Sequence, residues 1–307
     1  MRVLIVGLGS IARKHIAALR EMYGKDVEIL ALRSSKPSKT EEDIQNIYSW
    51  KDVQEKPDFV LISNPTVHHA VAIQEALALK VPLFIEKPAL SDLAKAEELE
   101  ELIAAANIPT YVACNLRFHA PLMHLKQYLD SGEYGKINEV NVYCGSDLSA
   151  WRPDVDFRQT YSASAKMGGG VHLDLIHEID YIYWFFGKPA LVNSIRRSSS
   201  HLEIDAVDYA NYQLVYKDYV VSILLNYFRK DYKRQVEVVT SLGTFLCDLK
   251  QNTIHFNHEL IFENQHIGFI DTYKKQLTFF IKIIQAGGKI ENDFKEGIEV
   301  LKIALSG

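Results

Sequence analysis

Cysteine is scarce in this chain: only Cys114, Cys144 and Cys247 occur among 307 residues. They are scattered, odd in number and never in C-x-x-C spacing. That argues against a disulfide framework or a zinc knuckle and suits reduced thiols in a cytoplasm. No apolar run approaches the roughly 20 residues that span a bilayer, and nothing ahead of the first strand reads as a signal peptide. A membrane partner is therefore not expected. Clusters of Lys and Arg are missing too, and the net charge is −5, so the chain has no electrostatic footprint for nucleic acid. Repeats and low-complexity segments are absent. The one metal-like grouping, His255-Phe256-Asn257-His258-Glu259, lacks the helical H-E-x-x-H order and lies in strand-type sequence, so no metal is expected.

What remains is ordinary soluble sequence, 48% hydrophobic and 24% charged, in a chain long enough for two domains. The first ~115 residues alternate short apolar strands (3–6, 27–32, 59–62, 83–85, 110–113) with helical spacing (11–23, 67–80, 93–106), Ser91 being a candidate N-cap for the last. Such interleaving predicts βαβ units and a doubly wound parallel sheet. The stretch 39–56 reads as a solvated helix-loop. Near residue 120 the character changes. A helix over 121–130 leads into long β-type runs at 137–144, 191–196, 207–216, 219–228, 235–240 and 244–247, with tight turns at Lys217-Asp218 and Leu242-Gly243. The last ~35 residues return to helical spacing. The expectation is an α/β fold: a Rossmann domain over 1–118, then an α+β domain over 119–307 with a large open, mainly antiparallel sheet. The last helices could pack back on the first domain. A broad sheet face is usually buried against another subunit, so a homodimer or homotetramer through that sheet is expected.

The most informative segment is at the start. Arg2-Val3-Leu4-Ile5-Val6 reads as a buried strand, and Gly7-Leu8-Gly9-Ser10-Ile11-Ala12 follows directly before a helix. In this setting a G-x-G-x-x-A pattern is a credible dinucleotide fingerprint. Gly7 permits the turn, Gly9 admits a pyrophosphate, and Ala12 allows close helix–strand packing. The helix N-terminus would offer free N–H groups to the phosphates. The second strand ends in Arg33-Ser34-Ser35-Lys36 where NAD sites usually carry a carboxylate. A guanidinium, two hydroxyls and an ammonium suit a 2′-phosphate, favouring NADP over NAD. A solvated basic loop is the plain alternative.

Three further segments follow strand ends: Ser63-Asn64-Pro65-Thr66-Val67-His68-His69, Glu86-Lys87-Pro88 and Cys114-Asn115-Leu116-Arg117-Phe118. They sit where doubly wound sheets place ligands. Lys87 is a candidate proton donor and substrate-hydroxyl ligand; a surface lysine paired to Glu86 is the alternative. After three glycines, Asp174, His177, Glu178 and Tyr181 fall at i, i+3, i+4 and i+7, one face of a mostly apolar helix. Such a stripe either faces a cleft or caps an interface. His177 is the natural general acid/base. Trp151, Arg152, Arg158 and Tyr161 could form a substrate lid or ordinary surface. His15 could equally pack or approach the cofactor.

Together these pieces resemble the Gfo/Idh/MocA family. The resemblance rests on G-L-G-S-I-A-R-K-H at 7–15, S-N-P-T-V-H-H at 63–69, E-K-P at 86–88, N-L-R-F at 115–118, S-G-E-Y-G-K-I at 131–137 and G-G-G-V-H-L-D-L-I-H-E-I-D at 168–180. It implies an NAD(P)-dependent oxidoreductase acting on CH–OH groups of a sugar, nucleotide-sugar, inositol or related polyol. By that resemblance Lys87, Asp174 and His177 are catalytic and contact substrate. Asn64, Pro65, His69, Glu86 and Asn115 lie beside the cofactor, and Arg117 lies near the nicotinamide or substrate. Two departures stand out: Ala12 replaces the third glycine, and Asp174 and His177 are three apart where many members have four. An imine or pyrrole reductase on the same scaffold is the near alternative. A non-catalytic NADP sensor is the distant one, with no use for Lys87, Asp174 and His177 together.

Overall fold

A computed structural model describes residues 1–35, 43–265 and 269–307. In chain order its elements begin with β1 (Arg2–Val6), α1 (Ser10–Tyr23), β2 (Glu28–Leu32), β3 (Gln45–Ile47), β4 (Phe59–Ile62), α2 (His69–Ala76), β5 (Leu83–Glu86), α3 (Ala96–Ala106) and β6 (Thr110–Ala113). Next come α4 (Ala120–Ser131), β7 (Ile137–Gly145), α5 (Val171–Asp174), α6 (His177–Phe186), β8 (Leu191–Arg197), β9 (Tyr209–Val215), β10 (Val220–Asn226) and β11 (Lys233–Thr240). The chain closes with β12 (Thr244–Asp248), β13 (Thr253–Phe256), β14 (Glu259–Glu263), α7 (Phe269–Ala286) and α8 (Phe294–Ala304). Two compact units result: Met1–Asn115 with Gly268–Leu301, and Leu116–Ile267 with Lys302–Gly307. No helix among the described residues is long and apolar enough to cross a membrane.

The first unit is a six-stranded parallel sheet in the order β3-β2-β1-β4-β5-β6. Its strands β4, β5 and β6 are buried at every residue, as expected where helices cover both faces of a parallel sheet. Phe59, Phe84, Tyr111 and Phe280 interlock on one side, with ring centroids 5.2 to 5.8 Å apart. Phe280 brings α7 onto this sheet, so the late helical stretch completes the early core. The expected helix-loop over 39–56 is corrected where it is described: 45–47 form a third parallel strand on β2 and 50–52 a single 3₁₀ turn. Periodicity misses a three-residue edge strand. Ser91 is not the cap of α3. That helix starts after Lys95, and Ser91 Oγ instead donates to Asp92 at 3.1 Å.

The second unit holds an eight-stranded sheet, β14-β13-β12-β11-β7-β10-β9-β8, antiparallel except where β7 and β10 run parallel. Burial alternates along each central strand, as in β11 and β12, the signature of a sheet with one covered face. On the covered face lie Val140, Val142, Tyr212, Leu214, Val221, Ile223, Val236, Val238 and Phe245, all at most 3% exposed. The opposite face keeps Leu191 at 54%, Ile195 at 56% and Val220 at 38% exposure. Lys217-Asp218 forms the expected turn, with Tyr216 N–H donating to Tyr219 O at 2.9 Å.

Candidate active site

In the parallel sheet every carboxyl end lies along one edge, so the segments after β1, β2, β4, β5 and β6 share it. Strand order reverses between β1 and β4, the position where doubly wound sheets open a ligand crevice. The glycine turn sits there. Gly7 has φ +84°, and a Cβ on it would lie 2.7 Å from Asn64 Cα, so glycine is what lets the ends of β1 and β4 close together. Gly9 is different: nothing lies within 4 Å of where its Cβ would stand. It is the N-cap of α1 and supplies no side chain to the helix N–H groups. Ser10 is exposed, Ile11 half-buried and Ala12 buried. An open cradle above uncapped N–H groups fits a pyrophosphate. Arg33 follows β2, half-buried, with Nη1 3.5 Å from Asn46 Oδ1; Ser34 and Ser35 are exposed. Lys36 lies outside the described residues.

After β4, Ser63 Oγ donates to Val6 O at 3.2 Å, binding the turn to β1. Asn64 is half-buried, with Oδ1 lacking a hydrogen-bond partner among the described residues; Pro65 is exposed. His69 is buried, its Nε2 3.0 Å from Asn64 O and its Nδ1 3.2 Å from Ala89 O. Burial pushes its imidazole below the usual range. A neutral ring donates one proton, so it ties down one of these carbonyls at a time. His69 thereby braces the loop after β4 against the chain following Lys87. Lys87 is half-buried at the end of β5, and its peptide to Pro88 is cis. Glu86 is buried, Oε1 2.5 Å from His15 Nε2 and Oε2 accepting from Lys87 N–H at 3.2 Å. After β6, Asn115 Nδ2 donates to Thr272 Oγ1 of α7 at 2.7 Å.

The second unit corrects the proposed helical stripe. Leu175, at φ −98° and ψ +30°, breaks the helix, so Asp174 closes α5 while His177 opens α6. Asp174 does not share a face with the others. It accepts from Tyr161 Oη at 2.7 Å and Tyr227 Oη at 2.5 Å. Burial, then the Asp174 charge, holds the Tyr227 phenol well above its usual range, so it stays a donor. Trp151 packs edge-on to Tyr227 at 5.3 Å and donates from Nε1 to Ser146 Oγ at 2.8 Å. His177 is half-buried. The other acids of the segment are structural. Glu178 is fully buried against Arg234, at 2.6 and 3.1 Å. Asp180 takes both Nε and Nη2 of Arg117, at 2.9 and 2.7 Å. Arg117 is thus buried and engaged within the second unit, and Tyr181 is fully buried in that unit's core.

Residues 1–113 match the family described as an oxidoreductase family with an NAD-binding Rossmann fold. Residues 122–246 match the GFO/IDH/MocA C-terminal domain. The chain belongs to the GFO/IDH/MocA oxidoreductase family. Among its relatives, a myo-inositol 2-dehydrogenase of Thermotoga maritima is 23% identical over 311 residues, covering 94% of this chain and 89% of the relative. A crystal structure of myo-inositol 2-dehydrogenase from Lactobacillus plantarum superposes with a TM-score of 0.81 at 22% identity, covering 99% of this chain and 95% of that one. Levoglucosan dehydrogenase in complex with NADH and levoglucosan gives a TM-score of 0.84 at 19% identity, with the same coverage.

Within this GFO/IDH/MocA chain, sequence reasoning missed Tyr227 at the site and Arg234 behind it. Tyr227, which holds Asp174, lies within the β-type run 219–228 and carries no local sign of that role. Arg234 left a readable signal: it shares parity with buried Val236 and Val238 on β11, and a charge in a buried row requires a buried partner. Of the two readings open for His15, packing holds: it is fully buried beneath Glu86.

Proposed function

We propose that this oxidoreductase exchanges a hydride between NADP, with NAD as the weaker cofactor, and a carbinol or carbonyl carbon of a sugar, nucleotide-sugar, inositol or related polyol. The observation that carries this is the carboxyl edge of the parallel sheet. The open Gly7–Gly9 cradle and Lys87 leave strands two places apart, roughly 10 Å at normal strand spacing. That is a fitting span for residues serving one extended dinucleotide. When bound, the nicotinamide supplies or accepts the hydride.

The rest of the chemistry falls to the chain. Gly9 and the N–H groups of α1 hold the pyrophosphate. Arg33, with Ser34 and Ser35, binds the 2′-phosphate through charge-assisted bonds. Lys87 hydrogen-bonds the reacting oxygen and stabilises developing alkoxide charge. His177 exchanges that oxygen's proton. Asp174, held by two phenols, keeps a fixed orientation and accepts from a neighbouring substrate hydroxyl. Trp151 and Tyr161 present aromatic faces to the C–H side of a sugar ring. The dehydrogenase relatives on inositol and levoglucosan support a hydroxyl-rich substrate. The exposed row of Leu191, Ile195 and Val220 supports a second copy as the sheet's partner.

The test is turnover of aldoses, inositols and nucleotide-sugars with NADPH and NADH. A substrate oxidised or reduced at the expense of the nicotinamide, with NADPH bound more tightly, is expected. Cofactor bound with no turnover on any of the panel would overturn the assignment.

A further inference from the structure

We propose that His15 and Glu86 form a positioning pair that sets the direction in which Lys87 leaves the sheet. The proposal rests on the role given to Lys87 above. Strand pairing guides the chain only as far as Glu86: β5 matches Ile85 to Ile62 on β4 and Glu86 to Ala113 on β6, and no pair follows. Lys87 is the first residue beyond the ladder, so its backbone needs another constraint. Glu86 supplies one by turning its own carboxylate back onto the Lys87 N–H at 3.2 Å. That carboxylate is fixed in turn by His15 Nε2, 2.5 Å from the other oxygen.

The imidazole itself has little freedom. Its ring is held edge-on by Phe84 at 5.1 Å and by Tyr273 at 5.3 Å. His15 Nδ1 has no hydrogen-bond partner among the described residues, so the ring directs its polar function at Glu86 through Nε2. The tautomer protonated at Nε2 satisfies a carboxylate acceptor and leaves only a lone pair unmet.

Stability is a poor reason for such a pair. Two polar groups, 0% and 6% exposed, sit where apolar side chains of similar volume would often do as well or better. Geometry is the better reason. His15 lies on α1, the helix that opens at Gly9, so a single hydrogen bond registers the lysine against the helix that receives the pyrophosphate. Neither residue need touch substrate; both act through Lys87.

The experiment uses the full chain without cofactor or substrate. Each lysine is reductively methylated with formaldehyde and borohydride, and its rate is read by peptide mass spectrometry. Variants are His15→Leu, His15→Gln and the near-isosteric Glu86→Gln, which keeps one acceptor where two are used. The Lys87 rate should shift about threefold or more in His15→Leu and Glu86→Gln, relative to Lys80 and Lys95 of the same protein. It should return towards wild type in His15→Gln, whose amide can donate to Glu86. On a competent substrate, kcat of His15→Leu should fall by about tenfold or more while its Kd for NADPH stays within about twofold. An unchanged Lys87 rate in both variants would overturn the proposal. So would a shift shared equally by Lys80 and Lys95, or a weakened Kd with kcat preserved. Because labelling needs no turnover, it separates this proposal from the assignment of the reaction: failure of every substrate would leave the labelling result standing.

Discussion

On the proposed function, Arg33 sets the preference for NADPH over NADH. Replacing it with Ala removes the guanidinium from the end of β2 and leaves Ser34 and Ser35. Charge-assisted hydrogen bonds contribute about 1.5–3 kcal/mol each, so NADPH affinity should fall by about tenfold or more. The Kd for NADH should change by less than about twofold, because NADH carries no 2′-phosphate. Equal losses for both cofactors would remove Arg33 from the ribose. A second residue, His172, contributes to acid sensitivity. Burial, with Arg196 nearby, lowers its imidazole to about 4, whereas the unfolded value is near 6.5. Between these values the unfolded chain binds a proton that the native chain does not. Stability is therefore lost as pH falls from about 6.5 towards 4, by about 3 kcal/mol in all. Urea unfolding of wild type and His172→Gln at about pH 7.5 and 4.5 should show a smaller acid loss in the variant. Equal losses would contradict this.

At the scale of elements, the two glycines of the first turn have separate tasks. Gly7 combines a positive φ with a backbone neighbour 2.7 Å from any added Cβ. Gly7→Ala should cost about 1–3 kcal/mol of stability and lower Tm. Gly9 has φ −87° and open space around it, so Gly9→Ala should leave Tm nearly unchanged and instead weaken cofactor binding. Thermal melts with and without NADPH distinguish the two; a Gly9→Ala protein that binds normally would remove the phosphates from this turn. These elements were legible because strand, turn and helix each carry a local signal. The helix of the second unit was only half legible. Its residue spacing permits one face for Asp174 and His177, but the helix breaks at Leu175 and Asp174 meets Tyr161 and Tyr227, partners distant in sequence. The same holds for Arg117, whose motif suggests a ligand contact but whose guanidinium meets Asp180 63 residues along the chain. Long-range partners of this kind have no local trace.

For the whole molecule, the long β-type runs of the second sheet were readable, and with them a mainly antiparallel sheet with one broad face. Helix α7 was readable as a late helix that could pack back on the first domain, while the aromatic contacts that seat it there join residues no window of sequence contains. The exposed row of Leu191, Ile195 and Val220 carries its own expectation. Light scattering should report a dimer or tetramer, and Leu191→Lys with Ile195→Lys should give a folded, smaller species. A wild-type monomer would contradict it.

The central claim is that Lys87 and His177 serve one substrate oxygen, and a double-mutant cycle on the hydride-transfer step tests it most directly. Single-turnover rates are measured with saturating cofactor for wild type, Lys87→Ala, His177→Ala and the double variant. Each single change should slow transfer by about a hundredfold or more. The double change should cost clearly less than the product of the two, because groups that act on one oxygen are not additive. Either variant transferring hydride at the wild-type rate, or two losses that multiply cleanly, would contradict it.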